Sequence, residues 1–201
     1  MIRVDRLTEA SEGLCTVFFS NGEEQVFSEE ELCAFHIISD RVYTEEQYRD
    51  LIDSVFCQRA KEKVMPYVLF SRRTEKQVFD KIISLGFPAS AAEALVRELT
   101  DKEYLNDRAY CRSYVKQAAE KKGYSRNRIR LELRQKGLSD ALIEEAFEEL
   151  SFEDTDAARM VLNKKLRTAG ERDYNKLCVF LMRKGFSGDT ARKVIQETEI
   201  E

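Results

Sequence analysis

The 201-residue sequence has no tryptophan, two prolines, eight glycines and one histidine. So little proline and glycine excludes collagen-like and Pro/Gly low-complexity chains. The single histidine, His36, and five scattered cysteines, Cys15, Cys33, Cys57, Cys111 and Cys178, form no C-x-x-C and supply too few ligands for a structural zinc site. No metal and no cofactor is therefore expected, and the cysteines read as small buried hydrophobes of a reducing compartment. No stretch approaches the ~18 consecutive apolar residues of a membrane helix. The start, Met1 to Arg6, lacks a signal peptide's apolar run and carries Asp5 early, so a cytoplasmic protein without membrane contact is expected. Phosphate-loop, nucleophile-elbow and H-E-x-x-H patterns are missing as well. Acidic residues abound but fall on exposed helix stripes, and nothing places two of them in a pocket. The expectation is a non-enzyme with no catalytic residue and no small-molecule substrate.

Hydrophobic residues make up 43% of the chain, enough for a core. Charged residues make up 35%, with 37 acidic side chains against 33 basic and a net charge of −4. That balance argues against strong affinity for bare nucleic acid. The average conceals an asymmetry: residues 1–55 hold roughly 13 acids and 4 bases, which leaves the remainder at about +5.

The acidic segment opens with three β-rich runs, Ile2 to Leu7, Cys15 to Phe19 and Gln25 to Phe27. Asn21-Gly22 between the last two is a hairpin signal, because both residues tolerate positive φ. A small three-stranded antiparallel sheet is expected. Ser28 before Glu29, Glu30 and Glu31 caps a short helix through Phe35, and Thr44-Glu45-Glu46-Gln47 is a capping box that starts another. His36, beside Phe35, Ile37 and Ile38, reads as a partly buried, satisfied histidine rather than a switch.

From about residue 56 the chain reads as helix after helix, with an internal repeat. Leu85-Gly86-Phe87, Lys136-Gly137-Leu138 and Lys184-Gly185-Phe186 place glycines roughly 50 residues apart. About 12 residues before each stands an N-cap residue, Thr74, Ser125 or Asp173. Apolar pairs fall at helical spacing between cap and glycine: Val78 and Ile82, Ile129 and Leu133, Leu177 and Leu181. Gly86, Gly137 and Gly185 are thus read as the residues that end a helix with φ > 0. A second apolar stripe follows each time, and a further helix precedes each unit over 60–70, 108–120 and 154–166. Pro66 lies in the first of these and is expected to kink or end it. The reading is a mainly α protein: an acidic β element plus short helix over 1–55, then three tandem three-helix modules over 56–105, 106–152 and 153–201. Such modules stack into an elongated or curved array whose surface meets a partner.

At these residues the sequence resembles the RecX family, regulators of the RecA recombinase. The resemblance is carried by Phe70-Ser71-Arg72-Arg73-Thr74-Glu75-Lys76-Gln77-Val78, by Tyr104-Leu105-Asn106-Asp107-Arg108-Ala109-Tyr110, by Arg128-Ile129-Arg130-Leu131-Glu132-Leu133-Arg134-Gln135-Lys136-Gly137-Leu138 and by Leu181-Met182-Arg183-Lys184-Gly185-Phe186. It implies a cytoplasmic, monomeric regulator acting in DNA repair, homologous recombination and the SOS response. Its partners would be RecA and the RecA–single-stranded-DNA filament, whose ATP turnover and strand exchange it mostly inhibits without chemistry of its own.

The charge cluster that suits such a partner lies in the middle module. Lys121, Lys122, Arg126, Arg128, Arg130, Arg134 and Lys136 stand close together, and Arg72 and Arg73 flank the first module's turn. Arg126, Arg130 and Arg134 are spaced by four and share a helix face away from Ile129 and Leu133. Tyr110 and Tyr124 can add aromatic contacts. A solvated face that keeps the chain soluble gives the same pattern. With the resemblance, the nine residues are read as a surface facing the RecA filament or DNA, and direct, non-sequence-specific DNA binding is the alternative.

Overall fold

The computed structural model describes residues 1–169 and 173–199. It divides into two compact units, Met1–Tyr67 with Lys81–Glu98, and Val68–Asp80 with Leu99–Glu201. Among the described residues no helix is long and apolar enough to cross a membrane.

The first unit is built on an antiparallel sheet of β1 (Ile2–Ser11), β2 (Leu14–Phe19), β3 (Glu24–Ser28) and β4 (Val42–Tyr43), in the order β3-β2-β1-β4. Gly22 turns β2 into β3 at φ 86°. The sheet has one strand more than the three expected, because two residues, Val42 and Tyr43, are too few to show a period in the sequence. Helix α1 (Glu29–Ala34) starts in a reciprocal capping box between Ser28 and Glu31. Helix α2 (Glu45–Phe70) starts in another, with Gln47 N–H on Thr44 Oγ1 at 3.1 Å and Thr44 N–H on Gln47 Oε1 at 2.9 Å. Val4, Val17, Phe19 and Phe27 of the sheet bury against Tyr48, Leu51 and Val55 of α2.

Three expectations depart from the structure, concerning Pro66 and its helix, His36 and the cysteines. Pro66 does not end its helix, and the separate helix foreseen over 60–70 is the last part of α2. Proline removes one N–H donor and costs roughly 3 kcal/mol inside a helix. Val64 and Val68 on either side are buried, and each returns about 1.5–3 kcal/mol only if the helix continues. His36 is exposed, not partly buried, on a positive-φ turn at 54°. Of the cysteines only Cys111 is fully buried, and Cys33 is exposed.

The remaining helices are α3 (Glu75–Ser84), α4 (Ala89–Asp101), α5 (Asp107–Gln117), α6 (Arg126–Gln135), α7 (Asp140–Glu149), α8 (Asp154–Ala169), α9 (Tyr174–Arg183) and α10 (Gly188–Glu199). A five-residue π-turn, Ala118–Lys122, extends α5. Helices α5–α7 form one three-helix module and α8–α10 the next, around a shared core that includes Ile129, Leu133, Ile143, Phe147, Leu162, Leu181 and Ile195.

Helices α3, α6 and α9 close identically. The glycine N–H reaches the carbonyl three residues back, and the next N–H reaches the one five back: Gly86 to Ile83 and Phe87 to Ile82, Gly137 to Arg134 and Leu138 to Leu133, Gly185 to Met182 and Phe186 to Leu181. The glycine φ values are 88°, 90° and 93°. This double closure needs the left-handed conformation that glycine adopts without penalty. Helices α4 and α7 close in the same way on Glu103 and Ser151, with no glycine to announce it.

The second unit also contains two matching joints. Thr74, fully buried, accepts from Gln77 N–H at 3.2 Å and donates to the Lys136 carbonyl at 2.7 Å, while Glu75 N–H donates to Asp107 at 3.0 Å. Ser125, fully buried, accepts from Arg128 N–H and donates to the Lys184 carbonyl, both at 3.3 Å, while Arg126 N–H donates to Asp154 at 2.6 Å. Each start of a helix is thus tied to the following module at two places, the C-terminal turn of its second helix and the start of its first. A hydroxyl suits this place because it accepts and donates at once. Asp173, at the equivalent place in α9, accepts from Lys176 N–H at 3.0 Å and has no proton of its own to give when ionised. The glycines share in the joints. A Cβ on Gly137 would overlap the Lys76 side chain, and one on Gly185 would stand 2.6 Å from Ser125 Oγ, whereas one on Gly86 would meet nothing within 4 Å.

Burial pushes the carboxyls of Asp107 and Asp154 above the ordinary aspartate value. A raised folded pKa means that the folded state holds these protons more tightly, so the two groups lose stability as pH rises from the unfolded to the folded value. At pH 7 their worth lies in accepting N–H bonds. Asp154→Asn, which keeps an acceptor without the buried charge, is expected to leave stability at pH 7 unchanged or higher. Asp154→Ala strands Arg126 N–H and is expected to cost about 1–3 kcal/mol in urea unfolding. Equal losses in the two variants would contradict this account of the joint.

Candidate functional site

By sequence the first unit holds 16 acidic and 9 basic side chains, and the second 21 and 24. The basic excess therefore belongs to the second unit, where six of the nine basic residues singled out by sequence fall into two sets and three, Arg72, Arg73 and Lys121, stand outside both.

The first set is engaged with carboxylates. Arg126 and Arg130 converge on Glu144 of α7, Arg126 at 3.7 Å and Arg130 through a close ion pair. Arg134 forks onto both oxygens of Asp140 at 2.6 and 2.8 Å. This planar two-point contact holds the Asp140 carboxyl below the usual aspartate range and raises the arginine. The stripe spaced by four is thus largely matched by the acidic side of α7. Arg126 also lies over the Phe147 ring at 4.6 Å.

The second set gathers on aromatic rings. Lys122 Nζ stands 5.7 Å from the Tyr114 ring and 5.3 Å from Tyr124; Lys136 Nζ is 5.7 Å from Tyr114; the Arg128 guanidinium lies 3.6 Å over Tyr124. Such contacts hold a cation in place without neutralising it. Tyr114 donates its hydroxyl to Glu132, which also receives Arg128 at 3.1 Å. Burial pushes the Glu132 carboxyl up, but the bonds from Tyr114 and Arg128 outweigh it and leave it below the ordinary glutamate value. Lys121 and Arg72 are exposed and Arg73 is partly buried. Arg72 lines a separate shallow groove with Arg108, Arg112 and Lys116. The predicted caps, Thr74, Gly86, Ser125, Gly137, Asp173 and Gly185, occupy helix ends and not this surface.

The sequence did not bring out the π-turn. It closes on Gly123 at φ 60°, where a Cβ would lie 2.6 Å from Val161 and 2.8 Å from Met160. The turn therefore lies flush on α8 and sets Lys122 beside Lys164 and Lys165. Together with Tyr124, Arg128, Phe180 and Lys184 these line a groove of about 320 Å³. Among the described residues no cluster of His, Cys, Asp and Glu could hold a metal ion.

A small antiparallel sheet followed by repeated three-helix modules defines a mainly helical protein of tandem-repeat architecture. Comparison with known proteins gives the particular family. The model of the RecX second three-helix domain matches residues 106–146, and that of the third matches 153–195. Regulatory protein RecX of Clostridium tetani is 30% identical over 149 residues, covering 69% of this chain and 67% of its own length. That of Bacillus licheniformis is 30% identical over 160 residues, covering 77% and 59%. The crystal structure of RecX from Lactobacillus salivarius matches with a TM-score of 0.65 at 25% identity, over 74% of this chain and 99% of that one. The chain belongs to the RecX family, and these relatives are named regulatory proteins.

Tyr114→Phe deletes one of the two donors that hold Glu132 ionised. The Glu132 carboxyl is expected to titrate at higher pH in the variant, followed by NMR of its side-chain carbon. An unchanged midpoint would assign the shift to the cations Arg128 and Lys122 instead.

Proposed function

We propose that this chain is a non-catalytic regulator of the RecA recombinase. It binds RecA and the RecA–single-stranded-DNA filament, and lowers ATP turnover and strand exchange through binding alone. In this reading it works in the cytoplasm as a monomer, in recombinational DNA repair. Its modules run over 56–105, 106–152 and 153–201, and Arg72, Lys121, Lys122, Arg128 and Lys136 face the filament.

Membership of the RecX family carries the proposal. The repeated joints add a physical reason. Modules tied at fixed geometry offer successive weak contacts, and once one is made the next is effectively intramolecular. A repeating partner such as a filament rewards that arrangement. The ion pairs of Arg126, Arg130 and Arg134 with α7 support a partner contact centred on the more open cations. Direct binding to nucleic acid is the second reading, favoured by the groove beside Gly123 because among the described residues no carboxylate lines it.

The test is ATP hydrolysis by RecA on single-stranded DNA with the chain titrated in. Inhibition at fewer than one chain per RecA is expected. No effect at an excess of folded, helical protein would overturn the proposal.

A further inference from the structure

A separate depression of about 310 Å³ lies between the end of α5, the π-turn, the link from α7 to α8 and the first turns of α8. It shares no lining residue with the basic groove beside Gly123. Its walls are apolar. Val115, Phe152 and Ala157 are buried, while Ala119, Leu150 and Met160 reach the surface. Its rim is acidic: Glu120, Glu153 and Asp156 stand against one cation, Lys116. Asp156 pairs with Arg159 at 3.1 Å. Among the described residues the side chains of Glu120, Glu153 and Lys116 have no ion pair or hydrogen bond. On α7, by contrast, Glu144, Glu145 and Glu149 are each met by an arginine.

The depression follows from local backbone and small side chains. The wider turn at Ala118–Lys122 sets Ala119 and Glu120 at its edge. Ser151, at φ 46°, closes α7 and brings Leu150 and Phe152 against the same opening. Ala119 and Ala157 leave space that longer side chains would fill. Water held against such walls finds few polar partners, so an apolar group that replaces it is favoured.

We propose that this depression is an anchor pocket for a protein partner: it receives one large apolar side chain from a segment that carries basic residues on both sides. The walls take the anchor and the rim carboxylates take the flanking cations, the apolar centre and polar rim of a protein interface. Glu120 and Glu153 are unpaired, so they meet a partner's charge without first breaking a bond within the chain. Met160, unbranched and polarizable, adapts to aromatic or aliphatic anchors. A phosphate strand is the wrong occupant, because the rim carboxylates repel it. The pocket is distinct from the cations proposed to face the filament and does not depend on RecA.

The test uses the full chain and the peptide Gly-Lys-Lys-Phe-Lys-Lys-Gly, followed by methyl NMR with no RecA present. Saturable shifts are expected at the methyl groups of Val115, Ala119, Ala157 and Met160. The same peptide with alanine for phenylalanine is expected to bind about tenfold more weakly or worse, since the anchor is lost. With glutamate for the lysines, no saturable shift is expected. Glu120→Lys/Glu153→Lys, both at exposed positions, is expected to weaken binding about tenfold or more. Glu9→Lys/Glu12→Lys, with the same change of net charge in the first unit, is expected to stay within about twofold, on the rule that a site and not the overall field carries the binding. Ala119→Leu fills the pocket and is expected to abolish the shifts. Circular dichroism checks that each variant folds, and the two charge variants carry the test if Ala119→Leu does not. No saturable shift at these methyl groups in the wild type, equal binding of the phenylalanine and alanine peptides, or equal losses in the two charge variants would each overturn the proposal.

Discussion

The arrangement of the second unit depends on one hydroxyl proton at each joint. Thr74 and Ser125 sit where a helix begins, fully buried, and each uses its oxygen on its own helix and its proton on a carbonyl about 60 residues away. A helix start leaves N–H groups without partners, and a helix end leaves carbonyls. Here the two deficits satisfy each other across modules, with Asp107 and Asp154 taking one further N–H apiece. Gly137 and Gly185 serve twice, turning the chain at positive φ and leaving room for the preceding helix to seat. Loss of either function misplaces everything downstream, including the cations carried by α8 and α9.

Those cations follow from the joint and from α7. The acids of α7 absorb Arg126, Arg130 and Arg134, which fixes α6 and removes much of its charge from the surface. What remains is a smaller basic area ordered on Tyr114, Tyr124 and Phe180, with Arg128 also paired to Glu132. A chain of net charge −4 can thus present a concentrated positive field at one place, because its acidic excess lies in the first unit and the acids of α7 take up part of the charge of α6.

The repeat was legible because capping and helix closure are local chemistry. Thr74, Ser125 and Asp173 precede their helices, and Gly86, Gly137 and Gly185 follow them, at spacings that leave little choice of conformation. Closures at Glu103 and Ser151 were hidden, because the residues there carry no mark of positive φ. Continuation of α2 through Pro66 was hidden for another reason: burial of Val64 and Val68 is a tertiary gain that local rules do not contain. On the basic surface, spacing by four correctly grouped Arg126, Arg130 and Arg134 on one face of α6. It could not say what faces them, since Glu144 and Asp140 lie on the next helix. Nor does a π-turn have a sequence signature, so the setting of Lys122 against α8 is visible only in the fold.

The claim that modules are locked by buried N–H and hydroxyl bonds is tested most directly by native-state hydrogen exchange at Glu75 and Arg126. First-turn helix amides ordinarily exchange fast, because no intrahelical carbonyl holds them. Held by Asp107 and Asp154, these two are expected to exchange only when the following module opens, at rates matching the core amides of α6 and α9. Exchange as fast as that of exposed first-turn amides would contradict the account.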